Sequence, residues 1–253
     1  MNIDTVCHQL REMRFVRMAE QLQERLANGD HRDLSHEQFI ALLVEDEYLH
    51  RRQKRLDRMV GRAGFKPEQP AMEDITYGGS RGLVKKDFIQ FSTPKWITDA
   101  HNVIFTGPTG CGKSFLAQAI ALQACRMGFT SRYIRYTMLF EEINAARGTG
   151  QYLKFLKKMS ATRVLIIDDF VMQEVSTQDL SSLMDIIEEK QQTGSIIITT
   201  QYPIAKWHHK MPDPTIADAI CDRVVANAYT FNLKGEGGSM RRKKSKISSK
   251  MTG

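Results

Sequence analysis

Cysteine is scarce in this chain and nowhere patterned. Cys7, Cys111, Cys125 and Cys221 are scattered through 253 residues with no C-x-x-C pair. That spacing predicts neither a disulfide framework nor a zinc site, and free thiols fit a reducing cytosol. No apolar run approaches the roughly 20 residues that a bilayer crossing requires, so no membrane partner is expected. The opening MNIDTVCHQLREM lacks the apolar stretch and small-residue cleavage site of a secretory signal. His208-His209 beside Trp207 have no suitably spaced carboxylate, so surface residues are expected there and not metal ligands. Acid is missing after Glu236, where Arg241, Arg242, Lys243, Lys244, Lys246 and Lys250 close the chain.

What is present is an ordinary globular composition, 42% hydrophobic and 26% charged, in a chain long enough for one α/β core and a smaller appendage. The net charge of +7 is concentrated in that tail and in one earlier segment. The earlier segment holds Arg51, Arg52, Lys54, Arg55, Arg58, Arg62 and Lys66, interrupted only by Asp57. Such a run is compatible with a solvated helix face, and charge of nearly one sign favours a phosphate-facing one and a polyanionic partner, with DNA as the expected one. No helix with base-reading polar residues stands out, so shape and deformability are the expected basis of any preference.

The spacing of Leu10, Met13, Leu22 and Leu26 predicts a helix over 4–27, stopped by Asn28-Gly29. Ser35 and Gln38 form a capping box for a second helix, which carries Phe39, Leu42, Leu43 and Leu49 toward the basic segment and ends near Gly61–Gly64. Four segments are expected: a helical domain over 1–66 for DNA or partner binding and self-assembly; a linker and the start of the next domain over 67–100; an α/β core over 101–240; and the basic tail 241–253. In the core, strands are predicted at Asn102–Thr106, Arg132–Tyr136, Arg163–Asp168, Ser195–Thr200 and Tyr229–Leu233. Helices are predicted at Lys113–Met127, within 138–159, and at Gln178–Gln192 and Ile216–Val225. Alternating strands and helices predict a parallel sheet with helices on both faces.

Two motifs carry chemistry. Gly107-Pro108-Thr109-Gly110-Cys111-Gly112-Lys113-Ser114 satisfies G-x-x-x-x-G-K-[ST] between a strand and a helix. Such a loop turns backbone N–H groups toward the phosphates of a nucleoside triphosphate, the helix N-terminus adds its partial charge, and Lys113 a mobile ammonium. The Ser114 hydroxyl is a ligand for Mg²⁺. Val164-Leu165-Ile166-Ile167-Asp168-Asp169 then places Asp168 at the carboxyl end of a buried strand, where it would hold the magnesium, and Asp169 beside it to orient the attacking water. Because Arg132–Tyr136 lies between the two motifs in sequence, one strand is expected between theirs in the sheet. Thr199-Thr200-Gln201 ends the next strand, and Thr200 is the preferred γ-phosphate sensor. Arg223 has no good partner within its own helix, and is expected to act as a finger on the γ-phosphate of a neighbouring subunit. Tyr77 and Trp96 are each compatible with stacking on adenine or with a core position.

The stretches GPTGCGKS (107–114), LIIDDF (165–170), ITTQYPIAKWH (198–208), DPTIADAICDRV (213–224) and LKGEGGSMR (233–241), with the helical N-terminal region, together resemble the IstB-like ATP-binding proteins. These are transposition helpers of the AAA+ group and relatives of the DnaC helicase loader. The resemblance covers nearly the whole chain. It implies a P-loop AAA+ fold after a small all-α domain, ATP and Mg²⁺ as ligands, and DNA-stimulated hydrolysis completed between subunits of a homo-oligomer with ATP-bridged interfaces. It further implies assembly on target DNA in the bacterial cytosol and recruitment of a transposase or integrase. By motif position it makes Arg223 the finger and Arg241 a candidate second sensor, with Arg242 as the alternative because Gly237-Gly238 lengthens the turn before them. A DnaC-like helicase loader, and an ATP-gated DNA scaffold in which turnover is incidental, share the same motifs.

Overall fold

The computed structural model describes residues 2–30, 32–67, 70–78 and 82–235. These form two compact units that part between Arg58 and Met59. The first contains α1 (Ile3–Glu12), α2 (Val16–Asn28) and most of α3 (His36–Arg62). The single helix expected over 4–27 is therefore two. Its break has no glycine or proline to announce it: Arg14 takes φ 65°. Arg14 N–H then donates to Arg11 O (2.9 Å) and Phe15 N–H to Leu10 O (2.7 Å), the paired bonds of a Schellman stop. Met13, counted into the apolar stripe, sits at this break and is 56% exposed.

The restart is capped from a distance. Phe15 offers α2 no side-chain cap, and the Glu47 carboxylate from α3 accepts the Met18 N–H at 3.0 Å in its place. Burial alone would raise the Glu47 pKa, but hydrogen bonds from Arg51 and the Met18 amide, with the Arg51 charge, hold it below the usual carboxylate range. Elsewhere the expected punctuation is seen. Ser35 and Gln38 exchange reciprocal bonds of 2.9 and 3.2 Å, and Gly29 ends α2 at φ 78°. Cys7, Ala19, Leu22 and Leu43 form the core of this unit.

The second unit is an α/β sandwich. Its elements run α4 (Lys85–Phe88), α5 (Lys95–Thr98), β1 (Asn102–Thr106), α6 (Lys113–Arg126), β2 (Ser131–Arg135), α7 (Tyr136–Gly148), α8 (Tyr152–Ala161), β3 (Val164–Asp168), α9 (Thr177–Thr193), β4 (Ser195–Thr200), α10 (Pro214–Val225) and β5 (Ala228–Asn232). The five strands are parallel in the order β2-β3-β4-β1-β5. A strand does separate the two motif strands β1 and β3, but it is β4. The strand expected there, β2, lies at the sheet edge. Position between motifs in the chain does not dictate position between them in the sheet, because a parallel crossover can pass over a neighbouring strand.

Period-two alternation divides the strands between two cores. Leu165 and Ile167 of β3 join Ile196 and Ile198 of β4 on one face, under Leu139 and Ile143 of α7 and Leu183 and Ile187 of α9. Val164, Ile166 and Ile197 face the other way, toward Leu116 and Ile120 of α6. Phe88, Phe91, Trp96 and Ile97 from the segment before β1 fill the rest of that second face. Covered on both sides, β1, β3 and β4 are buried at every position.

Candidate nucleotide-binding site

All five strands point their carboxyl ends at one edge, and the loop Gly107–Ser114 leaves β1 there. Gly107 begins it at φ 141°. A Cβ at this position would lie 2.4 Å from the Leu233 carbonyl oxygen, so the close approach of the chain after β5 requires glycine. Leu233 N–H donates to Thr106 O at 2.8 Å and holds that segment in place. At the other end of the loop Gly112, at φ 98°, is the N-cap of α6 and supplies no side-chain bond. Asn2, Ser176 and Asp213 do cap their helices. The first N–H groups of α6 are thereby left for an anionic ligand.

The Lys113 side chain is almost wholly buried. Its ammonium donates to Gly107 O (2.8 Å) and Pro108 O (2.9 Å), closing the loop on itself. Cys111 is buried in the loop with its sulfur 3.9 Å from Lys113 Nζ.

Facing the loop, Asp168 at the end of β3 is fully buried. It accepts from Ser114 Oγ (2.7 Å) and from Thr199 Oγ1 on Oδ1, and from Tyr133 OH (2.5 Å) and Lys66 Nζ (3.0 Å) on Oδ2. Burial would raise its pKa. The hydrogen bonds from Thr199, Tyr133 and Ser114 and the Lys66 charge outweigh it, and Asp168 stays ionised below the normal range. Reciprocally, burial and the adjacent carboxylate push the Tyr133 phenol far up, so it remains a donor.

Asp169 adopts φ 58°, a conformation that Asp tolerates better than most residues. It lines the same cavity, about 660 Å³, with Thr109, Gly110, Gly112, Lys113, Ser114, Lys66, Arg135 and Gln201. The threonine pair divides. Thr199 Oγ1 bonds Asp168, whereas Thr200 Oγ1 donates to Phe170 O at 2.9 Å and accepts from Tyr202 N–H at 3.2 Å. The preferred sensor, Thr200, is thus turned to the chain beyond β3, and Thr199 and Gln201 are the residues of that strand end at the site. Strand alternation sends neighbours to opposite faces, and the sequence did not show which face met Asp168.

Arg223 does not line this cavity. Near the C-terminus of α10, its guanidinium pairs with Glu188 of α9 (2.9 Å) and donates to Ala219 O (3.2 Å). That partner is 35 residues away, beyond the reach of within-helix spacing. Trp96 is buried in the core and Tyr77 packs edge-on to Phe88, and neither is among the cavity residues. His208 pairs with Asp218 at 2.9 Å; among the described residues no cluster able to hold a metal through His, Cys, Asp and Glu occurs. Arg241 and Arg242 lie outside the described residues.

Of the basic segment, Arg51, Arg52, Lys54, Arg55, Arg58 and Arg62 are all exposed on α3. Arg51 is nonetheless committed within its own unit. It bonds Glu47 at 2.6 Å and Arg14 O at 2.8 Å, and its guanidinium lies 4.6 Å from the centre of the Phe15 ring.

A family model for the IstB-like ATP binding proteins matches residues 8–248. The chain belongs to that family. Among curated relatives, a putative insertion sequence ATP-binding protein of Sinorhizobium fredii is 36% identical over 92% of this chain and 94% of its own length. The putative ATP-binding protein of insertion sequence IS1162 from Pseudomonas fluorescens is 31% identical over 77% and 84%. Among solved structures, the DnaC helicase loader superposes with a TM-score of 0.55 at 17% identity, covering 66% of this chain and 98% of its own. AMPPCP-bound DnaA from Aquifex aeolicus gives 0.59 at 14%, over 74% and 56%. At such identities these structures speak for the fold: a P-loop AAA+ sheet with helices on both faces, here preceded by helices. Together with the loop, the family assigns this chain nucleotide binding. No helix among the described residues is long and apolar enough to cross a membrane.

The residues fit the magnesium that such sites use. A buried carboxylate and a serine hydroxyl 2.7 Å apart are hard oxygen donors of the kind that cation prefers, and the Lys66 ammonium already stands against the carboxylate as a cationic stand-in.

Proposed function

We propose that this IstB-like protein is a DNA-stimulated ATPase that assembles on double-stranded DNA and recruits a transposase. The observation that carries the hydrolytic part is the meeting of Ser114 and Asp169 at one cavity with the glycine loop, with the buried Asp168 carboxylate bonded to Ser114 behind it. Ser114 and Asp168 would hold the magnesium ion, which when bound supplies charge neutralisation to the triphosphate. The loop amides and the Lys113 ammonium grip the phosphate oxygens. Asp169 lines the cavity, joined to the Asp168 network through its backbone N–H, which donates to Thr199 Oγ1 at 3.3 Å, and is the carboxylate proposed to orient and polarise water. Gln201, which lines the cavity just beyond β4, stands where a γ-phosphate can be sensed, and Thr199 acts on the site through Asp168; Thr200, turned to Phe170, is the less favourable choice.

Arg223 supports an oligomeric site. It lies outside its own cavity, and its exposed pair with Glu188 is of the kind worth only about 0–1 kcal/mol, so its release to a neighbouring subunit's ATP costs little. For DNA the reading relies on Arg52, Lys54, Arg55, Arg58 and Arg62, with Arg51 retained by Glu47. The link to a transposase rests on the relatives, whose names place them in insertion sequences, and a cytosolic location belongs to the same reading. Arg241 remains the proposed second sensor.

Phosphate release with and without duplex DNA tests the reading in wild type, Lys113→Ala and Asp169→Asn. The expected outcome is DNA-stimulated turnover in wild type, no nucleotide binding in Lys113→Ala, and binding without turnover in Asp169→Asn. Equal turnover in wild type and Asp169→Asn removes the assigned base. Assembly on DNA that proceeds equally with a non-hydrolysable analogue favours the scaffold.

A further inference from the structure

Among the described residues, the cation that touches Asp168 is Lys66, the last basic residue of a segment read as DNA-facing. Its placement is built. Ala63 O accepts the Tyr133 N–H at 2.7 Å, so the chain leaving α3 is tied to the edge strand β2. Gly64 follows at φ 68°, where a Cβ would stand 3.3 Å from Tyr133 O. Lys66 N–H then donates to Gln118 Oε1 at 2.7 Å, and Gln118 Nε2 donates to Ser114 O at 3.0 Å. The Lys66 backbone is therefore anchored to the helix that begins at the phosphate loop. Its ammonium passes 5.2 Å from the centre of the Tyr133 ring and ends 3.0 Å from Asp168 Oδ2.

Charge makes the contact consequential. Asp168 is fully buried, and its remaining partners, Ser114, Thr199 and Tyr133, are neutral hydroxyls. A buried carboxylate with neutral donors alone is an uncompensated charge, which proteins tolerate poorly. Lys66 is the cation that compensates it. Asp168 is also the carboxylate to which the reading above gives the divalent ion, and two cations on one carboxylate repel each other.

We infer that Lys66 is an internal counter-ion of the nucleotide site, holding Asp168 when no metal is bound and competing with the divalent cation for it. On binding of the metal–nucleotide complex the ammonium gives up Asp168 and turns to the polyanion entering the same cavity, which Lys66 also lines. Metal affinity in the absence of nucleotide is thereby kept low, and metal and triphosphate are favoured together over either alone. This inference rests on the nucleotide-site reading, and the measurement is chosen so that the two can fail separately.

The probe is Mn²⁺, titrated by electron paramagnetic resonance into nucleotide-free full-length protein as wild type, Lys66→Met and Lys66→Arg, with binding of a fluorescent ATP analogue followed in parallel. Met keeps the stem and removes the charge; Arg keeps the charge. Lys66→Met is expected to bind Mn²⁺ on the order of tenfold more tightly than wild type, since unlike charges a few ångströms apart interact appreciably even under water-like screening. Lys66→Arg should stay near wild type. If loss of the counter-ion weakens the fold of Lys66→Met, Mn²⁺ should raise its melting temperature more than that of wild type. Equal or weaker Mn²⁺ affinity in Lys66→Met, or equal melting shifts, overturns the inference. In that event Lys113→Ala decides the underlying reading: analogue binding lost there leaves the nucleotide site standing without the counter-ion, and binding retained there removes both.

Discussion

Replacing Thr199 and Thr200 one at a time by valine separates two hydroxyls that are adjacent in sequence and opposed in space. Valine keeps the shape and the β-branch of threonine, so each change removes little but one hydroxyl. At Thr199 that hydroxyl donates to a buried, ionised carboxylate. Each hydroxyl also accepts one backbone N–H, from Asp169 at Thr199 and from Tyr202 at Thr200, so the difference lies in the donated bond: about 1.5–3 kcal/mol to a charged group, against about 0.5–1.5 kcal/mol for the neutral bond from Thr200 to Phe170 O. Thr199→Val is therefore expected to be the more destabilising by roughly 1–2 kcal/mol in urea unfolding at neutral pH with chelator present.

The two should also respond differently to acid. The folded-state pKa of Asp168 is lowered, so its stabilisation is present above the unfolded value of about 3.9 and is lost as pH falls through the folded one. Removing the Thr199 hydroxyl raises the folded pKa toward the unfolded one. The deficit of Thr199→Val is consequently greatest at neutral pH and narrows in acid, whereas that of Thr200→Val stays level. Fluorescent-nucleotide titration in the presence of magnesium completes the assay: Thr199→Val should weaken binding and Thr200→Val should leave it close to wild type. Equal deficits with parallel pH profiles, or a larger loss of binding in Thr200→Val, would refute the assignment of Thr199 to the Asp168 network.

Glycine offers a matched pair. Gly107→Ala meets the Leu233 carbonyl at 2.4 Å and a positive φ, and should cost about 1–3 kcal/mol of stability together with nucleotide binding. Gly61→Ala in α3 meets nothing within 4 Å, and should stabilise by about 0.5–1 kcal/mol. Burial and the nearby Arg163 cation push Lys190 down to about 8 from 10.5. Keeping it protonated in the fold thus costs up to about 3 kcal/mol at neutral pH. Because the folded pKa is the lower one, that cost is full below about pH 8, shrinks as pH rises and is gone above about pH 10.5. Lys190→Met should therefore raise stability to urea at about pH 7, with the gap to wild type closing by about pH 10.

Elements stated by local pattern could be read without the structure. The glycine loop needs its small residues at fixed offsets because backbone, not side chains, must meet phosphate, so Gly107–Ser114 was legible from spacing alone. The continuous apolar runs of β1, β3 and β4 announced strands covered on both faces. The acid after Ile167 marked a strand end at the ligand-binding edge, and Ser35 and Gln38 with Asn28-Gly29 marked helix ends because capping is a local exchange of hydrogen bonds. The relationship to the IstB-like proteins was likewise visible in the motifs.

Whatever depends on partners distant in sequence was decided by the tertiary structure. The break at Arg14 occurs at a residue type that seldom adopts a positive φ, and it is secured by Arg51 and Glu47 from another helix. Which strand lies between β1 and β3 was settled by crossover, to which order along the chain is blind. Glu188 reaches Arg223 from a neighbouring helix, and Lys66 reaches Asp168 across 102 residues of sequence. In each case the deciding energy is a contact between groups that the chain brings together only by folding, so no periodicity or spacing could have encoded it in readable form.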